Sequence, residues 1–168
     1  MNVDGHSQGN PGEAAIGVVM TDGDGNVVEE ISKHIGRATN NVAEYKALIE
    51  ACKAALEYMP QRVIFFTDSQ LVANQINGLY RLRRPHLENL NRTTMELLNK
   101  LSSWQVRYVE RTANWRAHRL AQKALLERGQ NESQGLFERV RAKFERLSDT
   151  DKRKVLEYIN RLLEEARH

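Results

Sequence analysis

The order of apolar segments along the chain constrains its fold more than any single motif does. Residues 14–22 (AAIGVVMTD) and 26–36 (NVVEEISKHIG) are rich in β-branched residues and flank a strong hairpin signal, DGDGN at 22–26. With the few residues before them they predict a three-stranded antiparallel meander. A helical pattern over 37–59 follows, and then a buried strand from Val63 to Phe66. A β-α order after a meander predicts a mixed sheet with a parallel portion.

The rest of the first 128 residues continues this alternation. Two helical segments, SQLVANQING and HLENLNRTTMELLNKL, precede a strand, SWQVRYVE, and a last helix that we expect to end at Gly129. The skeleton is therefore β-β-β-α-β-α-α-β-α. This pattern predicts an α/β domain.

The composition places few further limits on function. The 168 residues are 40% hydrophobic and 28% charged, which is typical of a globular domain with a small appendage. No apolar run approaches the roughly 20 residues that span a bilayer, and no signal peptide is visible. The single cysteine, Cys52, is compatible with a reducing compartment, so we expect a cytoplasmic protein. The net charge of +3 permits a polyanionic partner without demanding one.

Three acidic residues stand at the ends of predicted elements. Asp4 ends the first short strand and is followed at once by the turn residues of GHSQGNPG, a segment that in isolation is an ordinary turn. Asp68 ends the buried strand, and Glu44 lies in the first turn of the long helix. Carboxylates held close together repel one another unless a cation or raised pKa values compensate. Hard oxygen ligands of this kind suit Mg²⁺ or Mn²⁺.

The last forty residues are predicted to be a separate element. The polar segment 129–135 is expected to be a linker, and 136–168 to form a helical hairpin whose second helix is capped by Ser148 or Thr150. Two short amphipathic helices cannot bury both apolar stripes by themselves. Packing on the main domain, forming a homodimer and binding a protein partner all stay open.

Four motifs occur in an order that resembles a known family. They are VDGHSQGNPG (3–12), TNNVAEYKALI (39–49), TDSQLVANQINGLYRLRRP (67–85) and NWRAHRLAQKAL (114–125). The chain resembles a compact type 1 ribonuclease H over residues 1–128. The resemblance implies an RNase H-like fold, with a five-stranded sheet in the order 3-2-1-4-5. It also implies two-metal hydrolysis of the RNA strand of RNA–DNA hybrids, with 5′-phosphate and 3′-hydroxyl products.

The same resemblance implies a role for particular residues. Asp4, Glu44 and Asp68 match the metal-binding carboxylates, and Glu44 also matches a residue that meets a ribose 2′-hydroxyl group. The positions that match substrate-binding residues are Asn10, Asn41 and Gln70 on the RNA strand, Arg37, Thr39 and Asn40 at a DNA phosphate, and the basic Arg81, Arg83 and Arg84.

The chain departs from the family pattern at the fourth metal-binding position, where the usual aspartate is His118. A neutral imidazole lacks the charge of a carboxylate, so we expect weaker binding of the second ion and a preference for Mn²⁺ over Mg²⁺. Only three residues precede Asp4, which predicts a short and weak first strand. These departures keep a second reading open: a weakly active or non-catalytic module that binds nucleic acid. Other nucleases and transposases of this broad fold fit less well, because NNVAEY and TDSQLV point to ribonuclease H.

Overall fold

The computed structural model describes residues 1–82 and 84–166. The chain divides into two compact units, Met1–Arg128 and Gly129–His168. The predicted site residue Arg83 lies outside the described residues.

The first unit is built on one mixed sheet. Its strands are β1 (Asn2–Gly9), β2 (Gly12–Thr21), β3 (Val27–Ala38), β4 (Val63–Thr67) and β5 (Trp104–Tyr108). The strand order is β3-β2-β1-β4-β5, as predicted. Strands β1, β2 and β3 form the antiparallel meander, whereas β4 pairs in parallel with β1 and β5.

Helices cover both faces of this sheet. They are α1 (Asn40–Tyr58), α2 (Gln70–Ile76), α3 (Pro85–Leu98) and the part of α4 (Trp115–Glu145) up to Arg128, which is preceded by a 3₁₀ turn at Arg111–Asn114. The side chain of Thr39 caps α1 by accepting a hydrogen bond from the Val42 amide. The main core lies between α1 and the sheet and includes Val3, Leu48 and Phe65.

Two glycines of the sheet mark where helices approach it most closely. A Cβ atom on Gly5 would lie 2.1 Å from backbone atoms of Ala43 and Glu44 in α1, and one on Gly17 would lie 2.0 Å from the carbonyl oxygen of Ala117 in α4. Neither position therefore accommodates a side chain. Because Gly5 pairs with Ile16, one residue before Gly17, the two glycines face opposite sides of the sheet.

The predictions for the first strand were wrong. Strand β1 does not end at Asp4: it pairs with β2 as far as Gly9, and the turn consists of only Asn10 and Pro11. The glycines that indicated an early turn belong to a long antiparallel ribbon. Consequently β1 has eight residues, of which only two precede Asp4, and Asp4 lies inside it with only 2% of its surface exposed.

The predicted end of the last helix was also wrong. Helical structure does not stop at Gly129, and residues 129–135 are helical rather than an irregular linker. Glycine within an exposed helix costs about 1 kcal/mol relative to alanine, which weakens a helix without ending it. Glu44 is likewise not in the first turn of α1, because the helix begins four residues earlier, at Asn40.

The predicted helical hairpin lies in the second unit. Residues 146–148 connect α4 to α5 (Asp149–Glu165), and Ser148 caps α5 by accepting a hydrogen bond from the Asp151 amide. None of the described residues from 129 to 166 is buried. Among the helices of the described ranges, none has the length and apolar character needed to cross a membrane.

Candidate active site

The three predicted carboxylates meet where two parallel strands part. Strands β1 and β4 pair only through Asn2 with Phe66 and Val3 with Thr67. Asp4 and Asp68 are the next residue on each strand, so their side chains emerge side by side at this opening. One oxygen atom from each of Asp4, Asp68 and Glu44 lies within 4.8 Å of the other two. The structure therefore brings together the three carboxylates that the sequence singled out.

Glu44 reaches the opening because α1 passes directly over β1. The close approach at Gly5 puts the start of the second helical turn against the strand. The Gly5 amide donates a hydrogen bond of 3.0 Å to Oε2 of Glu44, a contact that a displaced helix would lose. Glu44 is 5% exposed, so its carboxylate is held in a fixed position rather than free in solvent.

The electrostatics of the cluster disfavour three negative charges. Burial, then the charge of Asp68 and a hydrogen bond to it, together raise the pKa of Asp4 to about 7. Burial also raises the pKa of Glu44 well above its ordinary value, with Asp4 and Asp68 as the next causes. The Arg111 guanidinium acts in the opposite direction on the pKa of both groups. The cluster therefore lacks positive charge when its carboxylates are ionised.

A divalent cation suits this set of donors. The oxygens are hard ligands and converge within one small volume, and the raised pKa values of Asp4 and Glu44 indicate an uncompensated negative field. Asp4, Glu44 and Asp68 are the residues that would hold such an ion.

Asn114 is a positioning residue that the sequence reasoning quoted in a motif but did not assign. Its Nδ2 atom donates hydrogen bonds to the Val3 carbonyl at 2.8 Å and to Oδ1 of Asp68 at 2.7 Å. Its Oδ1 atom accepts a hydrogen bond of 3.1 Å from Asn2. The fully buried amide thus joins β1 to β4 at the point where their backbone pairing ends. Its place four residues before His118 in NWRAH was the signal that could have identified it.

His118 lies beside the cluster, on the first turns of α4. Its Nδ1 atom is 3.2 Å from Oδ2 of Asp4, and its Nε2 atom is 3.0 Å from Nη2 of Arg111. Burial, followed by the charge of Arg111, lowers the pKa of the imidazole, which favours its neutral form. A neutral ring with its proton on Nδ1 donates to Asp4 and accepts from Arg111. In this form the contact with Asp4 is a hydrogen bond rather than an ion pair.

Two further side chains complete this side of the site. Arg111 was noted in the sequence only as one of several scattered arginines, yet it lies against His118. His6, two residues after Asp4 on the same face of β1, meets the His118 ring edge to face at 5.4 Å between centroids. Burial is the largest cause that lowers the pKa of His6, followed by His118 and Arg111. The order of strands and helices, rather than a local motif, brings them together.

The predicted substrate-binding residues fall into separate groups. Oδ1 of Asn10, in the β1–β2 turn, accepts a hydrogen bond of 3.2 Å from the amide of Asn40 at the start of α1, next to the capping residue Thr39. Arg37 is exposed near the end of β3, two residues before Thr39 in the sequence. Gln70 is exposed as the first residue of α2.

The remaining described members of the predicted set share a cavity. Asn41, Arg81 and Arg84 line a space of about 400 Å³ together with Tyr80 and Leu87. The cavity lies between the starts of α1 and α3 and the end of α2.

Comparison with known proteins agrees with this arrangement. A family model described as "Reverse transcriptase-like" matches residues 2–124, and the chain belongs to that family. Ribonuclease HI of Halobacterium salinarum is 44% identical over 122 residues, which are 73% of this chain and 61% of that protein. This chain therefore spans about six-tenths of that relative.

Similar solved structures indicate the group within this family to which the chain belongs. The crystal structure of RNase H1 from Halobacterium salinarum has a TM-score of 0.73 and 43% identity, over 75% of this chain and 96% of the other. LC11-RNase H1 in complex with an RNA/DNA hybrid has a TM-score of 0.72 and 34% identity, over 75% and 95% of the two chains. Within the wider family, this chain is a member of the type 1 ribonucleases H, a group of enzymes.

Proposed function

We propose that the protein is a metal-dependent endonuclease that hydrolyses the RNA strand of RNA–DNA hybrids. The observation that carries the proposal is the meeting of Asp4, Glu44 and Asp68 at the opening between β1 and β4. Three buried or half-buried carboxylates whose oxygens converge within 4.8 Å suit the binding of divalent ions. The relative solved with an RNA/DNA hybrid supports this choice of substrate.

The residues of the site have distinct tasks in this proposal. Asp4, Glu44 and Asp68 hold two Mg²⁺ or Mn²⁺ ions, with His118 at the fourth position. Bound there, the ions supply activation of the attacking water and stabilisation of the leaving 3′ oxygen, and the products carry 5′-phosphate and 3′-hydroxyl ends. The Gly5 amide and the Asn114 side chain keep two of the carboxylates in place.

The substrate residues extend this site along the hybrid. Asn10, Asn41 and Gln70 contact the RNA strand, and Glu44 distinguishes RNA from DNA through the 2′-hydroxyl group. The group Arg37, Thr39 and Asn40 binds a DNA phosphate, since amides at a helix start attract anions. Arg81 and Arg84 provide positive charge beside the cavity, and the same role is proposed for Arg83 from the sequence alone.

A cleavage assay with matched variants tests this function. The protein is incubated with a hybrid labelled on each strand, in Mg²⁺ or in Mn²⁺. We expect cut RNA and intact DNA with the parent protein, and no cleavage with Asp68→Asn, which keeps the shape of the side chain but removes its charge. Asp22→Asn, in the exposed β2–β3 turn, is the control and should retain full activity. Equal cleavage by Asp68→Asn and the parent would contradict the proposal.

The second candidate function, a weakly active or non-catalytic binding module, is favoured by the identity of residue 118. A hydrogen bond from His118 to Asp4 orients the carboxylate without adding negative charge. Tight binding of the hybrid without cleavage in either metal would support this candidate and exclude the first.

His118→Asp tests the contribution of this position. We expect the variant to bind Mg²⁺ about tenfold more tightly in calorimetric titration, in line with the effect of altered metal surroundings. Its cleavage in Mg²⁺ should then approach that in Mn²⁺, whereas the parent prefers Mn²⁺. If the parent and the variant have the same Mg²⁺ affinity and the same metal preference, His118 has no role in metal binding.

A further inference from the structure

The second unit exposes more apolar surface than a helical pair in water normally does. Nine large apolar side chains between residues 136 and 163 are 37% to 65% exposed, among them Leu136, Phe137, Leu156 and Ile159. At about 200 Å² for a large residue, half-exposed side chains at these nine positions offer on the order of 900 Å². That area is comparable with the roughly 800 Å² that each partner buries in a standard protein interface.

The exposed apolar residues follow helical spacing on both helices. Leu136, Phe137 and Val140 recur at intervals of one and three on α4, and Leu156, Ile159 and Leu162 recur every three residues on α5. Such stripes are characteristic of helices that pack side by side in a bundle. A pair of helices without a buried residue of its own needs a partner to cover them.

The charges of this unit are divided between its two ends. Residues 139–154, around the connection between the helices, contain seven lysines and arginines and three acidic residues, a net charge of +4. The flanking segments 129–138 and 155–166 contain five glutamates and one arginine, a net charge of −4. Each acidic residue of the basic end already pairs with a basic residue of its own helix, in the pairs Arg141–Glu145, Lys152–Asp149 and Lys154–Asp151. The surplus positive charge is therefore available to another molecule.

We propose that the hairpin binds the hairpin of a second copy of this chain, in an antiparallel arrangement that forms a homodimer. In this arrangement the basic end of each copy lies against the acidic end of the other, twice over, as a two-fold axis requires. The apolar stripes of the four helices then form a common core. A polyanion fits this surface less well, because the acidic ends repel it and the two ends sum to zero charge.

The mass of the 168-residue chain in solution is the first test. Sedimentation velocity over a range of micromolar concentrations should reveal a species of twice the monomer mass of 19.3 kDa. No nucleic acid is present, so the result is independent of the cleavage assay. A mass of 19.3 kDa at every concentration overturns the proposal and favours packing of the hairpin on its own chain.

An apolar substitution locates the interface. Ile159→Glu should return the particle to the monomer mass, because a charge in the shared core is left without a partner. Val28→Glu, at a similarly exposed apolar residue of the first unit, should remain a dimer. If Ile159→Glu remains a dimer, the hairpin is not the dimer interface.

Charge exchange tests the antiparallel arrangement. One variant carries Lys152→Glu, Arg153→Glu and Lys154→Glu, and the other carries Glu157→Lys, Glu164→Lys and Glu165→Lys. Each variant alone should be monomeric, since its hairpin has one sign of charge along most of its length. An equal mixture should recover the dimer mass, more strongly at low salt. A mixture that stays monomeric while the parent dimerises overturns the antiparallel arrangement.

Discussion

The two units of this chain use amphipathic helices in opposite ways. In the first unit, α1 buries an entire face, including Tyr45 and Leu48, against a sheet from the same chain. In the second unit, α5 has no buried residue at all, although its apolar positions are as regularly spaced. Helical periodicity therefore specifies that a helix has a face to cover, but the partner that covers it is specified elsewhere.

The local interactions of the second unit explain why it is helical nonetheless. A capping hydroxyl at Ser148 and ion pairs between neighbouring turns stabilise the ends and the exposed surface. Each such pair contributes only about 0.2–0.5 kcal/mol. In the first unit the corresponding stability comes from packing, so identical substitutions should have very different effects in the two units.

A phenylalanine in each unit provides the largest contrast. Phe65 in β4 is fully buried, whereas Phe137 is 65% exposed. We expect Phe65→Ala to lower the free energy of unfolding of the first unit by about 3–5 kcal/mol, through lost burial and the cavity left behind. Phe137→Ala should change it by less than about 0.5 kcal/mol. Urea unfolding followed by tryptophan fluorescence measures this, because Trp104 and Trp115 both lie in the first unit. Equal losses of unfolding free energy in Phe65→Ala and Phe137→Ala would contradict this difference between the two units.

The carboxylate site should make a large contribution to the pH dependence of stability. The pKa of Asp4 is raised from 3.8 to about 7 in the folded protein, so the folded state holds a proton that the unfolded chain releases. That stability is complete below pH 3.8 and is lost as the pH rises through 7. In a chelating buffer the loss should be on the order of 4 kcal/mol, and divalent ions should restore stability at high pH.

Two variants check the origin of this pH dependence. Asp4→Asn removes one of the two carboxyl groups with a raised pKa and should reduce the loss of stability with rising pH, measured by urea unfolding at pH 4 to 8. Asp151→Asn, at an exposed carboxylate of the second unit, should leave the profile unchanged. A loss of stability that is as large in Asp4→Asn as in the parent would show that Asp4 does not contribute to it.

A pair of asparagines gives a smaller but more specific effect. Asn114→Ala should cost about 1–3 kcal/mol, because it leaves the Val3 carbonyl and the buried side of Asp68 without a donor. Asn77→Ala removes a single bond to the Val106 carbonyl and should cost about 1 kcal/mol. Only Asn114→Ala should also weaken Mn²⁺ binding in calorimetry. Unchanged Mn²⁺ affinity would reduce Asn114 to a structural role.

Features determined by a few neighbouring residues could be predicted from the sequence. The hairpin at 22–26, the cap of α5 at Ser148 (one of the two residues predicted for it) and the carboxylate after β4 each depend on local turn or capping chemistry. The strand order followed from the resemblance to the family, since parallel pairing leaves no local signal.

The wrong predictions and the residues that were missed depend instead on contacts between residues far apart in the sequence. Asp4 was predicted at a strand end because its glycines indicate a turn, but pairing with β2 outweighs that local preference. The helix was predicted to end at Gly129 on the same kind of local signal. Asn114 and Arg111 acquire their roles only once α4 is packed on β2 at Gly17, a contact between residues a hundred positions apart.

The parting of β1 and β4 has a consequence for engineering. The parallel ladder between these strands has only two residue pairs, so beyond Val3 the separation of Asp4 and Asp68 is not fixed by backbone hydrogen bonds. The Asn114 amide spans the gap instead. A longer or shorter amide at this one position offers a way to change the width of the site while the sheet and its helices keep their register. The ionic radius that the site prefers becomes a property that one side chain can adjust.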